Sequence, residues 1–431
     1  MNILLLNPPN SGRSIPEERY GLDSLRQIFR GEPLALEALA GNLDDQTVRI
    51  LDLKADPEGL ERELASFSPD LVGITGVTCE ANTVLRLART VKEHSDPVVV
   101  VGGIHASNDP AFFNRPEIDF IAVGLAKATF RELITALDNG RSAGHIAGLA
   151  ETNPGQPLSY RPREFGSADL VSEAPPAYHL VADYRSRYTL SSLKLQLGFV
   201  GTAMGCPFNC AFCCIAGLTG GRYLTQPAEA VVRDIELLGD IPVIRLIDAN
   251  TFGDPRHAAQ LCASIKAAGL QKQFIVDVRS DTVVRHPELL EEWRKIGLKA
   301  VIIGFEEISD ERLRQFDKAN RAATNREAIA ILHDLGISIV GDFIISPDYD
   351  ERQFESLARY IKENAIDLPM ITVLTPLPGT RLFEAMKDDI VLHDLDYYTL
   401  TNAVVPTRLP EETFYRLYAE LMKEGHAGAR L

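Results

Sequence analysis

Over its first 140 residues the chain alternates two hydrophobic patterns. Short runs at 3–7, 48–53, 71–76, 98–103 and 120–124 are almost continuously apolar and rich in Val, Ile and Leu. Such runs predict strands buried on both faces. Between them, at 34–43, 58–67, 81–93 and 129–137, apolar positions recur with helical spacing. The alternation predicts an α/β fold that begins with a doubly wound parallel sheet. Ligands of such sheets bind beyond the carboxyl ends of the strands. Those ends carry Asn7-Pro8-Pro9, Asp52, Thr75-Gly76-Val77-Thr78, Gly102-Gly103-Ile104-His105 and Gly124. The polar stretch 10–31 reads as a long functional connection.

From 141 to 194 the periodicity is lost, and Pro154, Gly155, Pro157, Pro162, Pro175 and Pro176 interrupt the chain repeatedly. This segment reads as a linker. The alternation then resumes, with strands predicted at 195–202, 243–248, 274–278, 300–305, 338–345 and 371–374. Helices fall between them at 227–238, 256–268, 287–296, 325–335 and 350–364. Six βα units are two short of a closed barrel, so a partial (β/α)6 barrel with an open side is expected. Its active residues should lie at the C-terminal strand ends, which carry Cys206, Asp248 and Asn250, Arg279 and Asp281, Glu306 and Glu307, Ser346, and Thr375-Pro376. The predicted organisation is thus a sheet domain at 1–140, a linker at 141–194, a partial barrel at 195–385 and a helical tail at 386–431 with a helix over 410–423.

Composition adds exclusions. With 45% hydrophobic and 24% charged residues, the chain is neither disordered nor a small disulfide scaffold. The net charge of −16 argues against a nucleic-acid partner and suits a cationic substrate. No apolar run is long enough for a membrane helix, and the N-terminus lacks the basic region of a signal peptide. A cytoplasmic protein with reduced thiols is expected.

Of six cysteines, Cys79 and Cys262 stand alone, whereas Cys206, Cys210, Cys213 and Cys214 fall within nine residues. The C-x3-C-x2-C spacing lacks the partner motif that a zinc site requires. It suits a cubane iron–sulfur cluster that takes three thiolates and leaves one iron open. The run Met204-Gly205-Cys206-Pro207-Phe208-Asn209-Cys210-Ala211-Phe212-Cys213 resembles the cluster loop of radical S-adenosylmethionine (SAM) enzymes. That resemblance implies a [4Fe–4S] cluster on Cys206, Cys210 and Cys213, with SAM chelating the open iron. Reductive cleavage of SAM, fed by an external flavodoxin- or ferredoxin-type donor, then gives a 5′-deoxyadenosyl radical that takes hydrogen from a small-molecule substrate. It places Phe212 beside the adenine. Ile303-Gly304-Phe305-Glu306 resembles the family's fourth-strand motif, which implies that Glu306 holds the SAM ribose; Glu307 stands where the family usually has serine. Asp248 and Asn250, and Arg279 and Asp281, fall at strand ends where the family contacts SAM or substrate. Thr375-Pro376-Leu377-Pro378-Gly379-Thr380 resembles the sixth-strand turn. Cys214 is either a buried bystander or a replacement for Cys213 as third ligand; Cys213 is favoured because Phe212 then keeps its usual place.

The preceding domain resembles the cobalamin-binding domain of one class of these enzymes, on Asn7-Pro8-Pro9, on 69–74 and on Val101-Gly102-Gly103-Ile104-His105-Ala106-Ser107. Two departures matter. No D-x-H-x-x-G occurs, and His105 reads as a loop histidine rather than a cobalt ligand. The family's G-E-G-E turn is Gly124-Leu125-Ala126-Lys127, which trades two acids for bulk and a donor. The sequence therefore favours a domain empty of cobalamin. It also favours a lyase resembling the diol-dehydrating enzymes of aminoglycoside biosynthesis, acting on a cationic aminosugar. A cobalamin-dependent C-methyltransferase is the alternative, and a non-catalytic iron–sulfur carrier the remote one.

Overall fold

The computed structural model describes residues 1–23, 30–190 and 195–429. Parts of the connection at 10–31 and of the linker at 141–194 lie outside these described residues.

The first sheet is built from β1 (Asn2–Asn7), β2 (Thr47–Asp52), β3 (Leu71–Ile74), β4 (Val98–Val101), β5 (Phe120–Ala122) and β6 (Leu149–Glu151) in the order β2-β1-β3-β4-β5-β6. All neighbours pair parallel except β6, which runs antiparallel along the β5 edge. The order reverses between β1 and β3, the switch point at which doubly wound sheets bind ligands. The five predicted strands form as expected. The sixth escaped prediction because its three residues sit in a Gly- and Pro-interrupted segment with no periodicity of its own.

After β7 (Thr189–Leu190) comes the barrel: β8 (Leu195–Val200), a small antiparallel pair of β9 (Ala203–Gly205) and β10 (Tyr223–Thr225), then β11 (Val243–Leu246), β12 (Gln273–Val278), β13 (Leu298–Glu306), β14 (Ser338–Ile345) and β15 (Leu368–Val373). The six long strands, β8 and β11–β15, are parallel and consecutive. The fold is therefore the expected α/β pair, a parallel Rossmann-like sheet followed by a parallel partial barrel.

The linker and the tail are more built than the sequence suggested. Tyr178–Arg187 forms short-helical turns whose Tyr178 hydroxyl donates to the Phe199 carbonyl of β8. At the far end, the helix Glu411–Ala427 closes the open edge, with Phe414, Tyr415 and Tyr418 buried and the Tyr418 hydroxyl on the Ile371 carbonyl of β15. The polar connection contains a helix, Ile15–Tyr20, started by Ser14 and ended by left-handed Gly21. It ties to the C-terminal region through Tyr20 and Arg19 on Glu411, and through the Ile15 amide on Asn402.

A buried polar joint locks the linker between the two domains. Glu32 accepts from the Phe199 amide at 2.8 Å and pairs with Arg185. Arg185 packs against the Tyr178 and Tyr188 rings, and the Tyr188 hydroxyl donates to Asp52, which also receives the Asn7 amide. Glu37 is fully buried beside Glu32, and no protein donor reaches its carboxyl. Two such carboxyls meet at low cost only when a proton is held between them. Burial raises Glu32 to about 7 despite Arg185, and burial together with Glu32 raises Glu37 well above the carboxylate range. The folded chain therefore holds protons that the unfolded chain releases, and stability falls as pH rises through the Glu32–Glu37 titration. Glu37→Gln removes one of the competing charges. Thermal melts of this variant and of wild type from pH 5 to pH 8 are expected to show a gain of a few degrees for the variant that grows with pH; a constant offset would show that no proton is shared.

Candidate functional site

The cluster loop begins where β8 ends. Asp248, just beyond β11, accepts from the Thr202 amide (2.7 Å), the Thr202 hydroxyl (2.6 Å) and the Ala203 amide (2.9 Å). With its oxygens engaged this way, Asp248 pins the base of the loop. The far side is clamped by backbone bonds from the Ala211 amide to the Phe316 carbonyl and from the Leu382 amide to the Ala211 carbonyl, and by Arg381 on the Asn209 carbonyl. Gly205 turns the chain with a φ of +82°, and a Cβ there would run into the Arg222 carbonyl. Phe212 packs edge-to-face on Phe316 at 5.6 Å, within a small apolar group that includes Ile344 and Leu374.

Cys206, Cys210, Cys213 and Cys214 are all half-buried free thiols. Burial, then the thiols of Cys214, Cys210 and Cys206, push Cys213 up to about 12. Cys210 is raised by burial while Lys318 and Arg279 pull it down, and burial raises Cys214. Thiols so placed stay protonated unless a metal takes their charge. Among the described residues no three His, Cys, Asp or Glu side chains stand close enough to share one ion. Three cysteine thiols on one loop are the donor chemistry that an iron–sulfur cubane takes, one thiolate to each iron.

Facing the loop, Arg279 lies over the Phe208 ring at 3.7 Å, donates to Asp281 at 2.8 Å and holds the Lys318 carbonyl at 2.8 Å. Lys318 in turn donates to Glu306 at 2.7 Å, both side chains being about nine-tenths buried. Glu306 ends β13 with a φ of +61°, a left-handed conformation unusual for glutamate. The β13–β14 register slips at this point. Gly304 must lack a Cβ, because one there would collide with the Glu306 carboxylate and the Lys318 ammonium. Glu307 turns the other way to accept from Tyr349 at 2.6 Å, and burial raises it to about 7. Asn250 is 1% exposed, and neither atom of its amide has a protein partner. The fold thus gathers Cys206, Cys210, Cys213, Arg279, Asp281 and Glu306 on one side of the barrel mouth. Lys318 was not foreseen, since it lies in a segment without periodicity. Arg245, Asp277 and Asp342 were also missed, although a charge in the middle of an apolar strand is a legible signal.

A cavity of about 240 Å³, open to solvent on one side, lies between the first sheet and the residues that flank the cluster loop. Its floor is the C-terminal edge of that sheet, with Gly73, Thr75, Gly102, Gly103 and Gly124; its roof includes Met204 and Leu218. Leu125, Ala126 and Lys127 lie on the wall without filling it. Lys127 donates to the Val171 carbonyl at 3.0 Å and to the Ala174 carbonyl at 2.5 Å, so its ammonium is taken up by the linker. The turn expected to obstruct a ligand forms part of the wall of a cavity that remains beside it. His105 does not line the cavity; it is 1% exposed, edge-on to Phe112 and Phe113, and burial lowers it to about 4. Among the described residues no helix is long and apolar enough to cross a membrane.

Comparison with known proteins agrees with this layout. A B12-binding domain model matches residues 29–134, and a radical SAM superfamily model matches residues 201–361. The chain is 28% identical to a hopanoid C-3 methylase of Methylococcus capsulatus, over 92% of this chain and 76% of that protein. It is 29% identical to an uncharacterized methyltransferase of Pyrococcus horikoshii, over 91% and 84%. It is 26% identical to an anaerobic magnesium-protoporphyrin IX monomethyl ester cyclase of Rubrivivax gelatinosus, over 84% and 65%. The fold superposes on the radical SAM methyltransferase TsrM from Kitasatospora setae, solved with cobalamin and a [4Fe–4S] cluster, with a TM-score of 0.70 at 18% identity over 98% of this chain and 84% of that one.

Single replacement of Cys206, Cys210 or Cys213 by Ala should remove the cluster, whereas Cys214→Ala should keep it; iron and sulfide counts after anaerobic reconstitution decide, and a retained cluster in Cys213→Ala would transfer the third ligand to Cys214. Glu306→Gln, by losing a charge-assisted bond, should weaken SAM binding about 10- to 150-fold while iron content is unchanged. Titration of the reconstituted variant with SAM checks it.

Proposed function

Starting from a chain that is a radical SAM enzyme with an N-terminal B12-binding domain, we propose that it is a cobalamin-dependent C-methyltransferase acting on a small molecule. The observation that carries this reading is the cavity wedged between the glycine-bearing strand ends and the cluster loop. Gly102 leaves its strand end without a side chain on the cavity floor, where a large ligand can approach the backbone, while Phe165 packs over Gly124 and Thr75 over Gly103. Leu34, Leu36 and Leu39 offer it an apolar wall. Cobalamin, when bound, supplies a carrier for a methyl group. No imidazole lines the cavity, so this chain offers the cobalt no histidine.

The roles of the remaining residues follow from their placement. Cys206, Cys210 and Cys213 would hold the cluster, and Glu306 with Arg279 would orient SAM above it. Phe212, in its apolar group, would flank the adenine. Asp248 acts at one remove, by fixing the chain that enters the loop. Asn250, with a buried and unsatisfied amide, would receive a polar group of SAM or substrate.

Dehydration of an aminosugar diol loses its support. That reading leaned on the altered turn at 124–127, which leaves the cavity open, and the compared relatives are methylases, methyltransferases and cyclases. A role in antibiotic biosynthesis has no support on the same grounds.

Reconstitution with hydroxocobalamin, iron and sulfide is expected to give stoichiometric cobalt. SAM should then yield S-adenosylhomocysteine beside 5′-deoxyadenosine and methionine. Ala38→Trp, which fills the cavity wall, should lose cobalt and S-adenosylhomocysteine but keep iron and the cluster absorbance. A wild-type protein that excludes cobalt under these conditions would overturn the proposal.

A further inference from the structure

Below the strand ends, the inner face of the barrel carries a layer of charge. Arg245 on β11 pairs with Asp277 on β12. Lys318 pairs with Glu306 at the end of β13. Asp342, in the middle of β14, stands opposite Gly304 in the ladder. It belongs to this layer, since Glu306, Asp277, Lys318 and Arg245 all act on its charge. Among the described residues, however, Asp342 has no hydrogen bond and no ion pair, and its oxygens are not sealed from solvent.

The count of charges is what makes this group informative. Two cations are each matched by one carboxylate, and Asp342 is left over. A half-buried carboxylate that no protein donor meets keeps a proton, holds water or takes a cation from outside. Burial and the neighbouring acids hold it well above the usual carboxylate range. Its neighbours across the ladder are Gly304 on β13 and Met370 on β15, neither of which can pair with an acid. Gly304, opposite Asp342, carries no side chain, and the Glu306 carboxylate and Lys318 ammonium lie against its backbone.

We propose that Asp342 is the counter-ion for a positively charged group of a small ligand bound in the barrel lumen. Two sources share that chemistry: the sulfonium of SAM, and an ammonium group on the substrate. If the partner is the sulfonium, the same carboxylate favours release of the neutral thioether product. The inference rests on the radical SAM reading for its choice of ligand. Its test is binding without turnover or cobalt, so it can fail while methyl transfer stands.

The test uses the anaerobically reconstituted full chain, wild type and Asp342→Asn, a nearly isosteric change. Affinities for SAM and for S-adenosylhomocysteine are measured by equilibrium dialysis. Thermal protection by n-butylammonium is compared with that by n-butanol. If the sulfonium is the partner, Asp342→Asn weakens SAM tenfold or more and leaves S-adenosylhomocysteine within about twofold. If a substrate ammonium is the partner, both affinities hold, while protection by n-butylammonium, absent with n-butanol, is lost in the variant. Equal weakening of SAM and S-adenosylhomocysteine overturns the proposal, as does no change in any of these readings. Asp277→Asn serves as the structural comparison, because it strands Arg245 and should lower the melting temperature. A comparable drop in Asp342→Asn would show that Asp342 serves the fold and would overturn the proposal as well.

Discussion

The distance between the apolar cavity and the cluster loop is set by one side chain. Asn108, at the end of the short helix Ile104–Asn108 that follows β4, donates to the Cys214 carbonyl at 3.0 Å. A Cβ on Gly217 or on Gly379 would overlap Asn108. The two glycines are therefore bare so that this residue can wedge the first domain against the cluster loop on one side and the sixth-strand turn on the other. Because both parallel sheets point their C-terminal edges at this wedge, the two places where such folds bind ligands face each other. A ligand of the first sheet and a ligand of the cluster must then share one interior.

That arrangement explains how charge is distributed. Four enclosed cations each meet a nearby carboxylate: Arg185 to Glu32, Arg245 to Asp277, Lys318 to Glu306, Arg279 to Asp281. Lys127 is held instead by two carbonyls, and the buried Asp248 and Glu307 by neutral donors. Enclosed ions are tolerated only when paired or hydrogen-bonded. Glu37 and Asp342, which no protein donor meets among the described residues, are informative for that reason. Glu37 lies in the joint between domains, where a shared proton can serve as partner. Asp342 keeps access to the lumen, where a ligand can.

The linker and the two chain ends do mechanical work in the same scheme. Lys127 holds the linker carbonyls of Val171 and Ala174, so the strap crosses the cavity mouth at a fixed height. The helices at Ile15–Tyr20 and Glu411–Ala427 meet through Glu411, which seals the barrel edge that a six-stranded sheet leaves open. The cavity and the loop are thus fixed from three sides.

Periodicity alone determined the parallel strands of both sheets, because buried parallel strands are runs of apolar residues and their connecting helices repeat every three to four positions. Local spacing determined the cluster loop as well, since three thiolates for one cluster must lie close along the chain. Glu306 was legible for a similar reason: it ends a buried strand beside a glycine. The sequence misled at Gly124-Leu125-Ala126-Lys127, where residue chemistry suggested obstruction. Only the tertiary structure decided that the Lys127 ammonium is taken up by linker carbonyls, because its partners at Val171 and Ala174 lie more than forty residues along the chain. Likewise Lys318, Asn108 and the role of Asp248 depend on contacts between segments that no local pattern relates. Pairing of charges across strands is a property of register and closure, and neither is written in the spacing of residues along one strand.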